Sequence, residues 1–172
     1  MVDTKENCLA FAKEVGYPVV AKPDNGVGAS HTFKITSDEE MKTFFEEKWT
    51  DTVYIMEEYI WGEVNSYDAI IDSHGKPMFE TGNVSPVSIM DIVNEQQSSL
   101  FYILKKLPAD TRKAGRATVK AFGVKSRFVH FEFFRLQRDQ EGLGKAGDLV
   151  ALEVNMRPSG GFTPDMINFA HS

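Results

Sequence analysis

The segment Leu152 to Arg157, Leu-Glu-Val-Asn-Met-Arg, alternates apolar and polar residues with period two. That alternation fits a β-strand buried on one side, because successive strand side chains point to opposite faces. It predicts Glu153, Asn155 and Arg157 on one face, with Leu152, Val154 and Met156 turned to a core. The polar face then carries a carboxylate, an amide oxygen and a guanidinium in a row. Oxygen ligands of this kind suit Mg²⁺, which usually keeps substrate phosphates in its shell, and a guanidinium beside them suits an anion. The pattern points to a magnesium–nucleotide site.

A second acidic strand supports it. Phe128 to Phe134 reads Phe-Val-His-Phe-Glu-Phe-Phe, placing Val129, Phe131 and Phe133 on one face and His130, Glu132 and Phe134 on the other. An ionised glutamate among so many aromatics is costly to bury without a partner. A metal ion is one such partner; a solvated strand face or a nearby arginine is the alternative. Were the two strands neighbours, Glu132 and Glu153 would flank the same ion or a pair of ions.

With 172 residues the chain is one domain, or two small subdomains sharing a site, and long enough to bury a core. A formal net charge of −6, with no Lys/Arg cluster, argues against nucleic acid as the main partner. No apolar run reaches the length of a membrane span and no signal peptide opens the chain, so a cytoplasmic protein is the expectation. The single cysteine excludes an internal disulfide; Cys8 shares a helix face with Phe11, Ala12 and Val15 and reads as a buried apolar residue.

The elements divide at about residue 61. Residues 3–15 predict an amphipathic helix opening after Asp3 or Thr4 and stopped by Gly16, and 17–22 a short strand ended by Pro23. A glycine-rich turn over 24–30 leads to a return strand over 31–35. Ser37-Asp38-Glu39-Glu40 has a capping-box pattern opening a helix to about Lys48, and 53–59 predict another strand. Residues 1–61 thus form a small α+β unit. In the larger unit, 62–172, strands over 64–72 and 76–80 form a hairpin across Ser73-His74-Gly75. Residues 81–107 give no clear pattern. A helix over 109–122, the Glu132 strand, a polar loop over 137–147 and the site strand over 148–156 follow.

Two further motifs bear on chemistry. Lys22 ends an apolar strand just before Gly26, Val27, Gly28, Ala29 and Ser30, so its ammonium and bare backbone N–H groups are placed to meet one anion. A plain hairpin turn beside an exposed lysine is the alternative. The order is neither that of a Walker loop nor of a dinucleotide fingerprint. Met56-Glu57-Glu58-Tyr59-Ile60-Trp61-Gly62-Glu63 is an apolar strand running into a glutamate-rich linker. It offers partners to an adenine amino group, or is a solvated strand end.

Taken in order, the lysine strand, glycine turn, Glu-Glu-Tyr-Ile-x-Gly linker, acidic strand and Glu-x-Asn-x-Arg strand resemble the ATP-grasp superfamily. The likeness spans about Ala10 to Asp165, and Ala151-Leu-Glu-Val-Asn-Met-Arg-Pro-Ser-Gly-Gly161 is its most specific part. It is closest to the carboxylate–amine ligase branch, similar to carbamoyl-phosphate synthase large-subunit and biotin-carboxylase ATP domains. The resemblance implies an α+β, ATP-grasp fold of two subdomains holding the nucleotide between them. It further implies that Lys22 binds phosphates, with Gly26, Gly28, Ala29 and Ser30 in a lid over them. Glu57 and the backbone of Glu58 and Ile60 would hold adenine, and Glu63, one place from the family's usual ribose-binding position, is a candidate for ribose. Glu132, Glu153 and Asn155 would hold Mg²⁺, or Mn²⁺ in its place, and Arg157 would stabilise the transferring phosphoryl group.

The implied reaction is ATP-dependent ligation. A carboxylate attacks the γ-phosphate, and an amine or similar nucleophile then displaces phosphate from the acyl phosphate. The implied partners are ATP, a small carboxylate and an amine, with homo-oligomerisation left open. The superfamily's N-terminal domain and its continuation after this region are not in the sequence, so the expectation is a fragment of a longer enzyme. A nucleotide-binding module inactive by itself and an ATP-grasp phosphotransferase are the alternatives. Arg135, Arg138 and residues 83–88 read as solvated surface rather than substrate contacts.

Overall fold

A computed structural model describes residues 2, 4–24, 31–50, 53–86 and 100–172. Among these the chain forms two compact units, one up to Ile60 and one from Trp61 onward.

In the first unit, helix α1 (Lys5–Val15) begins where Thr4 Oγ1 accepts the Asn7 N–H at 3.2 Å and ends at Gly16, whose φ of 79° a side chain would resist. It buries Cys8 and Ala12. Strands β1 (Val19–Pro23), β2 (Phe33–Ile35) and β3 (Tyr54–Glu58) make an antiparallel sheet in the order β2-β1-β3. Val19, Ala21, Ile35, Tyr54 and Met56 face the core.

Helix α2 (Asp38–Thr43) is shorter than its pattern suggests. Ser37 Oγ caps the Glu40 N–H at 3.2 Å, while the Glu40 carboxylate reaches back to the Thr36 N–H at 2.7 Å. From Phe44 to Lys48 the helix widens into a π-helical turn. Phe44 there lies buried against Phe33, Trp49 and Tyr54, with ring centroids 5.3–5.7 Å apart. Aromatic packing overrides the simple 3.6 period in this last turn.

The second unit is built on β4 (Gly62–Ile71), β5 (Pro77–Thr81), β6 (Asn83–Ser85), β7 (Tyr102–Ile103), β8 (Arg127–Leu136) and β9 (Leu149–Asn155). The sheet runs β7-β6-β4-β8-β9, and β5 also pairs with β4, all contacts being antiparallel. The hairpin turn after β4 is held by Asp72, whose Oδ1 accepts the N–H groups of His74 and Lys76, each at 2.8 Å. Strands β5 and β6 share one edge of β4 because the chain breaks at Gly82, where a Cβ would lie 2.3 Å from the Ser66 carbonyl oxygen.

Helix α3 (Ala109–Ala121) covers one sheet face, packing Val119 with Tyr67, Ala69, Ile71, Val129, Phe131 and Phe133. Gly115 admits the Tyr67 ring, which would stand 2.2 Å from a Cβ there. Arg135 pins the helix start: its Nη1 donates to Asp110 Oδ2 at 2.7 Å and its Nη2 to Thr111 Oγ1 at 3.1 Å. That guanidinium holds the Asp110 carboxyl below its usual range. Arg135 is therefore a structural anchor, not the solvated residue expected. Arg138 is exposed, as expected, and stacks over the Trp61 ring, 4.0 Å from its centroid. Helix α4 (Thr163–His171) closes the described chain. No helix of the described residues is long and apolar enough to cross a membrane.

Candidate functional site

In the first unit the β1–β3 register sets Lys22 opposite Ile55 and Val20 opposite Glu57. Lys22 and Glu57 thus lie diagonally on the sheet face turned away from the core, and Lys22 Nζ meets Glu57 Oε2 at 2.7 Å. Both side chains keep substantial exposure, 31% and 47%. The two residues assigned to phosphates and to adenine are thereby partners. Glu58 ends β3 opposite Val19, and beyond it the Tyr59 N–H donates to the Pro18 carbonyl at 3.1 Å. Ile60 follows, half-buried. Lys34 Nζ sits 4.3 Å from the Tyr59 ring centroid. Gly26, Gly28, Ala29 and Ser30 lie outside the described residues.

In the second unit the sheet face away from α3 carries two polar rungs, each spanning β4, β8 and β9. Ser66 pairs with Glu132, and Glu132 with Glu153. One step along, Asp68 pairs with His130, and His130 with Asn155. Glu132 and Glu153 are direct register partners. Glu63, on β4, pairs instead with Arg135.

This arrangement depends on an irregularity. The β8–β9 register shifts between Glu132 and Phe133, so Ala151 pairs with Phe133 while Glu153 pairs with Glu132, passing over Leu152. Leu149 packs on the core before the bulge, and Val154 and Met156 after it. The uniform row of Leu152, Val154 and Met156 expected from strict alternation is therefore corrected. The bulge re-aims the strand so that Glu153 and Asn155 share the polar face, a common use of bulges. Arg157 is corrected too: β9 ends at Asn155, before the N–H-less Pro158. Arg157 stands exposed past the strand end, its Nη1 donating to the Pro158 carbonyl at 3.0 Å.

His130 ties the rungs together. Its Nδ1 donates to Asp68 Oδ1 at 2.8 Å, and its Nε2 lies 3.4 Å from Glu132 Oε1. Burial opposes its charge, but hydrogen bonds to Asp68 and Glu132 outweigh that and lift its pKa to about 9. The other Asp68 oxygen accepts from Ser66 Oγ, which itself accepts the Asn83 N–H at 2.8 Å. Asp68 is buried and fully engaged, whereas Glu132 retains an oxygen that His130 does not hold.

Glu132, Glu153 and Asn155 offer oxygen donors of the kind magnesium takes. Like charges directly opposite in a sheet repel, so Glu132 facing Glu153 favours a cation there. His130 offsets part of Glu132's charge from one side. Among the described residues no group of three or more His, Cys, Asp or Glu is arranged to hold a metal. Two carboxylates and the Asn155 amide still match Mg²⁺, which takes few protein ligands and completes its shell from water and phosphate. Sequence reasoning missed Ser66, Asp68 and Asn83 and left His130 without a role. Their signal was the period-two Ser66–Asp68 pair on β4, which acquires meaning only once β4 is known to neighbour β8.

No protein-family model matches the chain, and no curated protein matches it by sequence. Solved structures do match. The biotin carboxylase domain of the Hydrogenobacter thermophilus 2-oxoglutarate carboxylase, solved with MgADP, ADP and bicarbonate, is 20% identical with a TM-score of 0.69. The match covers 95% of this chain and 36% of that one. D-alanine–D-alanine ligase from Bacillus anthracis is 20% identical with a TM-score of 0.61, covering 95% of this chain and 52% of that one. An L-amino acid ligase from Bacillus licheniformis gives 19% and 0.62, covering 90% of this chain and 35% of that one. The chain has the ATP-grasp fold, mixed helix and sheet, and spans about a third to a half of the length of these proteins.

Proposed function

We propose that this chain is the nucleotide-binding part of an ATP-dependent ligase that activates a carboxylate as an acyl phosphate for attack by an amine or similar nucleophile. The observation that carries this is the direct pairing of Glu132 with Glu153, with Asn155 on the same face, in an ATP-grasp fold. Glu132, Glu153 and Asn155 would hold Mg²⁺, which when bound supplies charge to offset the phosphates. His130 fixes Glu132, and Asp68 fixes His130, so the carboxylate is oriented before a ligand arrives. Lys22 would bind phosphate oxygens, exchanging its Glu57 partner for them. Glu57, Glu58 and Ile60 would hold the base, Glu63 is the candidate for ribose, and Gly26, Gly28, Ala29 and Ser30 would close over the phosphates to keep water from the acyl phosphate. Arg157 would offset charge on the transferring group.

The solved MgADP complex of a similar fold supports the choice of nucleotide and ion. Because the chain spans only part of its structural neighbours, a second reading is a module that binds nucleotide and turns over nothing alone. The test is thermal unfolding with and without MgATP, followed by trapping of acyl phosphate with hydroxylamine. At a hundred times Kd, binding adds about 2.7 kcal/mol. A magnesium-dependent rise in midpoint with hydroxamate formation supports the ligase, a rise without turnover supports the module, and no rise removes both.

A further inference from the structure

One step beyond the Asp68–His130–Asn155 rung, the polar sheet face changes character. The next register pair is Ile70 with Phe128, both apolar, and Phe128 is 50% exposed. Over it lies a cleft of about 440 Å³, bounded by Phe79 of β5 and by Pro164 and Ile167 of α4. Pro158 and Ser159, which directly follow Arg157, form part of its wall, and Asp68 lies at its polar edge. The cleft thus adjoins the Glu132–Glu153 pair through Asp68 and His130. Rungs on one strand face are roughly 7 Å apart, so the apolar wall begins within about 14 Å of the metal-binding pair.

We propose that the carboxylate activated here is an organic acid with an uncharged apolar tail, branched or aromatic, lying in this cleft. This assignment rests on the ligase function proposed above and specifies its acid. Three observations carry it. The walls are aliphatic and aromatic, so an apolar tail gains by leaving water. Among the described residues no lysine or arginine lines the cleft. Asp68, the aspartate among its described lining residues, is already engaged by Ser66 and His130, and His171 shares a 2.8 Å hydrogen bond with Thr81. A second carboxylate or a phosphate on the acid would lose water there without finding a free counter-charge among these lining residues, which is costly. Bicarbonate, having no tail, would leave the apolar wall uncovered.

The test follows isoleucine methyl resonances of this chain by NMR in the presence of MgADP. The probes are 3-phenylpropionate and 4-methylpentanoate, with succinate and bicarbonate as comparisons. The first two should shift the Ile70 and Ile167 methyls saturably, and the last two should not. Ile167→Trp, at a half-exposed helix position, should fill the cleft and abolish the response. Phe128→Ala should weaken it on the order of ten-fold by removing one aromatic wall. An equal response to succinate or bicarbonate, or a response unchanged in both variants, overturns the proposal. The MgADP thermal shift on the same samples reports separately on the nucleotide site. A normal shift without methyl response sinks the apolar-acid assignment alone, whereas methyl response without any MgADP shift sinks the ligase function and with it the role of the acid as substrate.

Discussion

Glu132 on β8 and Glu153 on β9 face each other as register partners across a bulged strand pair. In a sheet such a like-charge pair is destabilising unless a cation lies between or beside it. Glu153→Gln removes the repulsion and also a proposed ligand. The variant should be as stable as the parent chain, or slightly more so, without divalent ion, and should lose the magnesium-dependent part of the nucleotide response. Differential scanning fluorimetry with MgATP and with ATP plus EDTA reads both effects. An unchanged magnesium response in the variant removes Glu153 from the site.

His130 bridges a buried aspartate and a glutamate, so its removal strands charge. His130→Ala should destabilise the unit by about 3 kcal/mol, because Asp68 loses its charged partner while staying buried. Asp68→Ala should behave similarly, and the double variant should be well short of the sum. Urea unfolding of all three supplies the cycle. Strict additivity would mean that the 2.8 Å contact contributes nothing.

Much of this site could be read from the sequence, and the reason for the remainder is physical. Alternation along 128–134 and 152–157 put Glu153 and Asn155 on one strand face and Glu132 on the face away from Val129, Phe131 and Phe133, since period two is a local property of strands. The pairing of Glu132 with Glu153 also needed the register, and the register turns on a bulge at Leu152 that no local pattern marks. Ser66 and Asp68 escaped notice because two polar residues in a hairpin strand mean little until a neighbouring strand supplies His130. The same held for 81–107: β6 and β7 are only three and two residues long and owe their pairing to β4 rather than to any pattern of their own. Helix ends were legible because Thr4, Gly16 and Ser37 act on the nearest backbone groups.

Glu80 on β5 accepts Arg116 Nε at 2.9 Å and the Tyr67 hydroxyl at 2.8 Å, tying α3 to the sheet. Burial raises its pKa, but the hydrogen bonds from Arg116 and Tyr67 outweigh that and hold it below the ordinary glutamate value of 4.5. A carboxyl depressed in the folded state contributes fully above its unfolded pKa and loses that contribution as pH falls towards the folded value. Unfolding midpoints in urea should therefore drop below about pH 4.5 in the parent chain. Glu80→Gln should be less stable at pH 7 and show a shallower acid decline. Parallel declines in the two chains would assign the acid sensitivity elsewhere.

Gly115 lies where α3 crosses the Tyr67 ring, and a Cβ there would approach the ring to 2.2 Å. Tyr67 is fully buried and its hydroxyl is held by Glu80, so the ring has little room to retreat. Gly115→Ala should lower stability by about 2 kcal/mol despite the better helix propensity of alanine. Gly160, with nothing within 4 Å of its Cβ position and a φ outside the left-handed region, is the control for a substitution that meets no neighbour. Equal losses at both positions would show that steric contact with Tyr67 is not the cause.

Lys22 is bonded to Glu57 at 2.7 Å, and the proposed function requires it to leave that partner for phosphate. Part-exposed ion pairs contribute only about 0–1 kcal/mol, so the exchange is easy and the pair adds little to folding. Lys22→Met should therefore unfold within a few degrees of the parent chain but bind MgATP on the order of ten-fold more weakly, having lost one charge-assisted contact. Glu57→Gln frees Lys22 without removing it and should leave phosphate binding at least as strong. Calorimetric titration with MgATP and with inorganic triphosphate separates base from phosphate contributions. If Lys22→Met binds triphosphate as well as the parent chain does, Lys22 is only the partner of Glu57, and the phosphates are held by other residues.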